Sequence, residues 1–199
     1  MLVEPIILEG RYVRLEPLAE THLPGLADAI ADGELWRNPY TFVPRPGDLE
    51  RFCAAAHEGL AAGRELAFAI VERAGGQVAG STRFRNIAPH HRKLEIGHTF
   101  VARSWQRTGV NTEAKYLLLR CAFDAWQCQR VEFQTDVLNA PSRTAIARLG
   151  AREEGVLRSH YRMPDRRVRD TAVYSIVQED WESVCAGLEA KLLAHAQPS

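Results

Sequence analysis

A short run of polar and small residues, Gln106-Arg107-Thr108-Gly109-Val110-Asn111, stands between two segments that predict regular structure. The apolar residues 96–101 predict a strand, residues 102–108 predict a break, and a long helix follows. The first N–H groups of a helix have no partner within it, and the helix dipole is positive there. Glycine at this position allows backbone to approach a ligand closely. The run predicts a site for phosphate or pyrophosphate, with an ordinary strand-to-helix turn as the alternative.

The helix is predicted from apolar residues at spacings of three and four, which form one buried stripe. These residues are Ala114, Leu117, Leu118, Cys121, Ala122 and Ala125. Three charged residues, Glu113, Lys115 and Arg120, fall off the stripe and are expected on the polar side. The start of the helix therefore faces something polar while the rest of it packs on a core.

The run resembles the pyrophosphate loop of the GNAT superfamily of N-acetyltransferases, which has the form Q/R-x-x-G-x-G/A. Gln106 and Gly109 match this form, and Asn111 stands where the family has a small residue. Asparagine tolerates left-handed backbone better than most residues, so the loop can still form. The following Asn111-Thr112-Glu113-Ala114 is similar to the helix start in the branch that acetylates the N-termini of ribosomal proteins. The resemblance covers most of the chain, through Asn139 and Gly150.

This resemblance implies acetyl-CoA as cosubstrate, no metal, and direct transfer of acetyl to a primary amine in a ternary complex. The amine belongs either to a protein N-terminus or to a small molecule. The implied cofactor contacts are the backbone of the strand at Phe100 and Val101, the loop and helix start, and the end of the next strand. The full set is Phe100, Val101, Gln106, Arg107, Thr108, Gly109, Val110, Asn111, Thr112, Asn139 and Ser142. Asn139 is alternatively a plain helix N-cap, and both roles are compatible.

The transfer requires a group that accepts a proton from the attacking amine, and such help contributes roughly 10²–10⁴-fold. Glu95 and His98 are the catalytic candidates because both lie on the strand beside the cofactor arm. Their opposite parity places them on opposite faces unless a bulge intervenes. We favour Glu95 acting through water. The alternative is a surface carboxylate paired with Arg92 or Lys93.

Many GNAT enzymes carry a general-acid tyrosine four residues before the glycine that closes the helix after the asparagine. Ile146 stands at that place here. Tyr161 and Tyr174 are substitutes by residue type only, and each is otherwise a packing residue of a strand. The missing tyrosine motivates a second hypothesis, a non-catalytic module that binds acyl-CoA or a peptide.

Other classes of function find little support in the sequence. It has no G-x-x-x-x-G-K-[S/T] loop, no G-x-G-x-x-G and no G-x-S-x-G elbow. Its 25 basic and 25 acidic residues cancel, so bulk charge does not predict a nucleic-acid partner. No signal peptide or membrane span is predicted, and we expect a cytoplasmic protein without a membrane partner. The scattered cysteines predict buried free thiols.

The order of predicted elements gives the fold class. At 199 residues the chain is most simply one domain, 1–199, and a homodimer is possible. Three consecutive strands over 65–101 predict an antiparallel meander, and the strand–helix–strand from Glu95 to Leu138 predicts one parallel crossover. The fold class is therefore α+β with a mostly antiparallel sheet. The GNAT resemblance implies that the sheet is twisted, that helices lie on both of its faces and that the parallel pair splays apart.

Two groups of basic residues have no role assigned by the loop. His90 and His91 are adjacent in a turn and do not share a face, which favours a solvated turn over a metal site. Five arginines surround a predicted hairpin, and they either meet an acidic substrate or CoA phosphates or are simply solvated. They are Arg158, Arg162, Arg166, Arg167 and Arg169.

Overall fold

A computed structural model describes residues 3–195 of the chain. Its strands are β1 (Leu8–Glu9), β2 (Val13–Pro17), β3 (Leu66–Glu72), β4 (Val78–Ala88), β5 (Lys93–Val101), β6 (Arg130–Asp136), β7 (Arg152–Arg162) and β8 (Val168–Val177). Its α-helices are α1 (Leu23–Ala31), α2 (Leu49–Ala61), α3 (Gly109–Arg120), α4 (Ala140–Ala147) and α5 (Trp181–His195).

The strands form one mixed sheet in the order β1-β2-β3-β4-β5-β6-β8-β7. Only β5 and β6 pair in parallel among these strands, over residues 93–95 and 130–132. Beyond that short ladder β5 continues to Val101 and β6 to Asp136 without pairing with each other, so the two strands diverge. The predicted fold class and the splayed parallel pair are both confirmed.

Helices cover both faces of the sheet, as predicted. One face, which we call the α1/α2 face, packs alanines of β3 against α1 and α2 in a small cluster around Leu26 and Cys53. The other, the α3/α5 face, carries the main core, in which Phe68, Phe84 and Leu118 are fully buried. Side chains alternate between the two faces along each strand, which decides which polar groups meet.

The long helix differs from its predicted stripe in one respect. It ends at Arg120 and is followed by one turn of π-helix, Cys121–Ala125. A π turn adds a residue to the helical repeat. Phe123 is therefore fully buried while Ala125 is exposed.

Several predicted boundaries shift. The first strand, predicted over 10–18, is shorter and pairs with the unpredicted β1. Thr21 lies in a 3-10 turn before α1 instead of capping it. β7 begins at Arg152, four residues before its predicted start at Val156. The predicted end of the last helix at Ala196 lies outside the described residues.

Candidate active site

The start of α3 has the form of an anion site. Thr108 is its N-cap, and its hydroxyl oxygen accepts from the Val110 amide at 3.3 Å and donates to the Trp105 carbonyl at 2.7 Å. The amides of Gly109 and Asn111 belong to the first four of the helix, which have no partner within it. Within residues 3–195 neither amide has a backbone or side-chain acceptor, so both are unpaired at the positive helix end, although Gly109 itself is buried.

The predicted loop residues contribute differently. Gln106 is exposed, but its amide Nε2 donates to the Val101 carbonyl at 2.9 Å and so ties the loop to β5. Arg107 is exposed and adopts a left-handed φ of 62°. A Cβ on Gly109 would lie 3.2 Å from the Tyr12 ring. The glycine thus makes room for Tyr12, and the close approach of a ligand to its backbone remains a prediction.

The other predicted cofactor residues lie around the same end of the sheet. Phe100 is buried against Phe52, with ring centroids 6.0 Å apart, so its backbone alone is available. Thr112 is half-buried on the first turns of α3. Asn111 lies beside it, and its side-chain oxygen is buried without a hydrogen-bond partner among the described residues.

Asn139 and Ser142 lie where β6 ends. The Asn139 side-chain oxygen accepts from the Ser142 amide at 3.2 Å, and Asn139 is the N-cap of α4. The N-cap interpretation of Asn139 is therefore confirmed, and a cofactor contact remains a prediction for both residues.

A β-bulge in β5 changes the relation between the two catalytic candidates. Arg83 pairs with Gly97 and Ser81 with Phe100, so His98 and Thr99 together oppose Thr82 alone. His98 has a left-handed φ of 46°. The extra residue breaks the alternation of faces.

The bulge turns His98 toward the α1/α2 face. Its ring centroid lies 6.4 Å from that of Phe42. The positive charges of Arg85 and Arg83 act on it, and both arginines lie on the same face as Glu95. Glu95 and His98 therefore share a face, which is the exception that the sequence prediction made for a bulge.

Glu95 is buried, with 3% of its surface exposed. Its Oε2 accepts from the Asn86 amide at 2.8 Å, and its Oε1 lies 3.5 Å from the Arg85 guanidinium. Burial is the largest influence and raises the pKa of Glu95, while Arg85 and Asn86 oppose that rise. The alternative of a surface carboxylate paired with Arg92 or Lys93 is wrong. Lys93 instead contacts Glu132 at 3.3 Å.

His98 is held neutral by its surroundings. Burial lowers its pKa to about 3, and the positive charges of Arg85, Arg83 and Arg169 act in the same direction. Its Nδ1 is enclosed and has no hydrogen-bond partner among residues 3–195. A neutral imidazole of this kind can position a substrate by hydrogen bonding, and its low pKa makes it a weak base.

The tyrosine candidates separate clearly. Ile146 is buried in the main core. Tyr174 is buried, and its hydroxyl donates to Glu153 at 2.7 Å and accepts from Arg143 at 3.1 Å. Tyr161 lies beside Phe42, with ring centroids 6.2 Å apart, at the mouth of the same region as His98. Only Tyr161 is therefore placed near the catalytic candidates.

Two buried charged residues of α3 were wrongly expected on its polar side. Glu113 accepts from the amides of Arg11, Tyr12 and Val13 at 2.6–2.7 Å. Lys115 donates to the hydroxyls of Thr82 and Thr99, and burial lowers its pKa to about 7.

A second apolar stripe at helical spacing would have revealed the burial of Lys115. It runs through Leu118, Leu119, Ala122 and Phe123, and Lys115 begins it. Thr99 is one of the two residues of the bulge, so the hydrogen bond from Lys115 to Thr99 stabilises the bulge from the α3/α5 face.

Among residues 3–195 none of the helices has the length and apolar character needed to cross a membrane. No group of three or more histidine, cysteine, aspartate or glutamate side chains in that range is arranged to hold a metal ion. His90 and His91 lie exposed in a 3-10 turn.

Comparison with known proteins gives one family and several relatives. The family model for the acetyltransferase (GNAT) domain matches residues 13–152 of this sequence. A GCN5-related N-acetyltransferase from Brucella melitensis is 32% identical in its crystal structure, with a TM-score of 0.85, covering 95% of this chain and 86% of that one. Mycobacterium smegmatis RimJ in complex with CoA-disulfide is 23% identical with a TM-score of 0.82, covering 96% of each chain, and shows the fold alone.

A curated relative is matched over a shorter span. The Bacillus subtilis (strain 168) protein named "Putative ribosomal N-acetyltransferase YdaF" is 30% identical over 107 residues, which cover 54% of this chain and 57% of that protein. The chain thus spans less than two thirds of this relative's length.

Proposed function

This chain belongs to the GNAT acetyltransferase family, and we propose that it transfers acetyl from acetyl-CoA to a primary amine. The observation that carries the proposal is the alignment of three features along β5. They are the open amides at the start of α3, the gap where β5 leaves β6, and the buried carboxylate of Glu95. The amides would bind a diphosphate, the gap between the strands would hold the extended pantetheine arm, and Glu95 would accept a proton.

The loop and helix start would hold the cofactor. The Gly109 and Asn111 amides would bind the pyrophosphate, and the exposed Arg107 would add a positive charge. The positive helix end favours a phosphate by roughly 0.3–1 kcal/mol at an exposed position. The mycobacterial protein of the same fold was solved in complex with CoA-disulfide, which supports a CoA-type ligand for this fold.

Glu95 would act on the acceptor amine. The amine must lose a proton as it attacks the thioester carbonyl, and a carboxylate whose pKa is raised by burial is a better base than an exposed one. Asn86 and Arg85 fix its orientation. A water molecule between Glu95 and the amine would complete the path. The departing thiolate would take its proton from solvent or from Tyr161, which lies beside the same region.

Two measurements test the proposal. Calorimetry gives the affinity for acetyl-CoA, and a thiol-reactive dye follows the release of CoA with a panel of amines and N-terminal peptides. We expect release that requires both an acceptor and Glu95. Tight CoA binding without release on any acceptor would favour the non-catalytic module instead.

A further inference from the structure

Arg169 on β8 occupies an unusual position on the α1/α2 face. It is 6% exposed, and its guanidinium lies 5.3 Å from the ring centre of Tyr161 and 5.9 Å from that of Phe42. Its Nε donates to the Thr171 hydroxyl at 3.1 Å. Within residues 3–195 its two terminal nitrogens donate to no protein group. The terminal nitrogens of Arg169 remain accessible to solvent, whereas Nε and Nη2 of Arg83 are fully buried without a hydrogen-bond partner.

The neighbouring arginines on this face each contact a carboxylate. Arg83 lies 2.9 Å from Glu65, and Arg85 lies 3.3 Å from the same residue. Arg167 contacts Asp136 at 2.5 Å. Among the described residues no carboxylate lies within ion-pair distance of Arg169. A buried cation of this kind is stable only when something compensates it.

The guanidinium has no direct ion pair among the described residues, and it lies near His98 through a shared neighbour. The more distant charges of Asp136 and Glu95 act on it, and its own charge acts on His98. Phe42, which packs on the guanidinium, also packs against His98. An acceptor whose amine reaches Glu95 would therefore place its nearby atoms against Arg169.

We propose that the acceptor carries a carboxylate a few bonds from its amine and that Arg169 binds this carboxylate. This inference rests on the proposed acetyl transfer and specifies the substrate class. A guanidinium matches a carboxylate with two parallel hydrogen bonds, and the terminal nitrogens of Arg169 are the donors that such a pair uses. The rings of Phe42 and Tyr161 would hold the guanidinium plane and shield the pair from water.

Matched acceptors test the wild-type protein first. Glycine and β-alanine are compared with glycinamide and β-alaninamide, at equal concentrations of unprotonated amine. The peptide amides Ser-Asp-NH₂ and Ser-Asn-NH₂ distinguish a peptide source of the carboxylate from a free amino acid. We expect kcat/KM to favour the carboxylate member of at least one pair by about tenfold or more. Equal rates within every pair, or a preference for the amides, would overturn the inference and leave acetyl transfer standing.

Variants then assign the preference to Arg169. Arg169→Gln should abolish the preference by lowering kcat/KM for the carboxylate acceptor alone, and Arg169→Lys should keep part of it. Arg162→Gln, an exposed arginine on the same hairpin, is the matched control. Equal losses on both members of a pair would show a structural role for Arg169 and overturn the inference.

Binding separates the two proposals if no acceptor is turned over. Calorimetry of the CoA-bound protein with glycine, β-alanine and Ser-Asp-NH₂ needs no reaction. Carboxylate-dependent binding lost in Arg169→Gln would support the site while acetyl transfer fails. Absence of binding by all three would overturn the site as well.

Discussion

Asn86 on β4 donates a 2.8 Å hydrogen bond to Oε2 of Glu95 on β5. This bond lowers the pKa of Glu95 against the larger upward effect of burial. Asn86→Gly should therefore raise that pKa further and move the acid limb of kcat to higher pH. Glycine is chosen because residue 86 has a left-handed φ of 47°, which glycine adopts without strain. The pH profiles of the two proteins give the comparison, and coincident acid limbs would show that Glu95 does not control the rate.

Glu95→Gln removes the proposed base without removing the hydrogen-bonding shape of the side chain. We expect kcat to fall by roughly 10²–10⁴-fold, with the affinity for acetyl-CoA unchanged. In the wild type the rate should fall as pH drops through the raised pKa of Glu95, and this limb should vanish in the variant. Glu58→Gln, exposed on α2, is the control. Retention of full activity would show that Glu95 is not the base.

The arrangement of strands could be predicted because each connection between strands depends on residues that are close in the sequence. The meander follows from the hairpin turn at 74–77, and the parallel pair follows from a long helix between two strands. The loop at the start of α3 was also visible, since Thr108, Gly109 and their neighbours are consecutive in the sequence.

The site could not be predicted to the same depth because its partners are distant in sequence. Nothing near Glu95 indicates that its neighbours are Asn86 and Arg85, which depends on the register of β4 against β5. The bulge at His98 is likewise a property of that register. Arg169 looked like one of five hairpin arginines, and only the fold shows that it is buried while Arg158 is exposed.

Lys115 should make stability depend on pH. Its pKa falls from 10.5 to about 7 on folding, so between these values the unfolded chain binds the extra proton. The free energy of unfolding then rises with pH by up to about 1.4 kcal/mol per unit from this residue. Lys115→Met lacks this contribution, and its hydroxyl neighbours Thr82 and Thr99 still bond to each other at 2.8 Å.

The difference between wild type and Lys115→Met isolates this effect, because other titrating groups cancel. Urea unfolding should favour the variant most near pH 7 and less as the pH rises toward 10.5. Lys191→Met, an exposed lysine on α5, controls for the loss of a lysine. A constant difference across this range would show that Lys115 stays charged in the folded protein.

Glu113 should contribute to stability through backbone amides. Its carboxylate accepts from three consecutive N–H groups, those of Arg11, Tyr12 and Val13, where the chain enters β2. Glu113→Gln leaves one acceptor oxygen and turns an NH₂ group toward donors, so we expect a loss of about 2–3 kcal/mol in unfolding free energy. Urea unfolding beside Glu182→Gln, exposed on α5, measures the loss. An equal stability of the two variants would show that water replaces the carboxylate.

Asn111→Asp tests the anion site by placing a negative charge among its amides. A carboxylate in the first turn of α3 gains roughly 0.3–1 kcal/mol from the helix dipole, but it lies where the Asn111 side-chain oxygen is buried, so we also expect some loss of stability. The same charge would stand among the amides that we assign to the pyrophosphate. Repulsion should therefore raise the Kd for CoA by about tenfold or more.

Three measurements separate this outcome from a general defect. The melting temperature reports folding, calorimetry reports CoA affinity, and added salt should reduce the loss of affinity by screening the repulsion. Asn111→Ala removes the amide without adding charge and is the matched control. If Asn111→Asp binds CoA as tightly as Asn111→Ala does, the phosphates lie elsewhere and the assignment of the Gly109 and Asn111 amides fails.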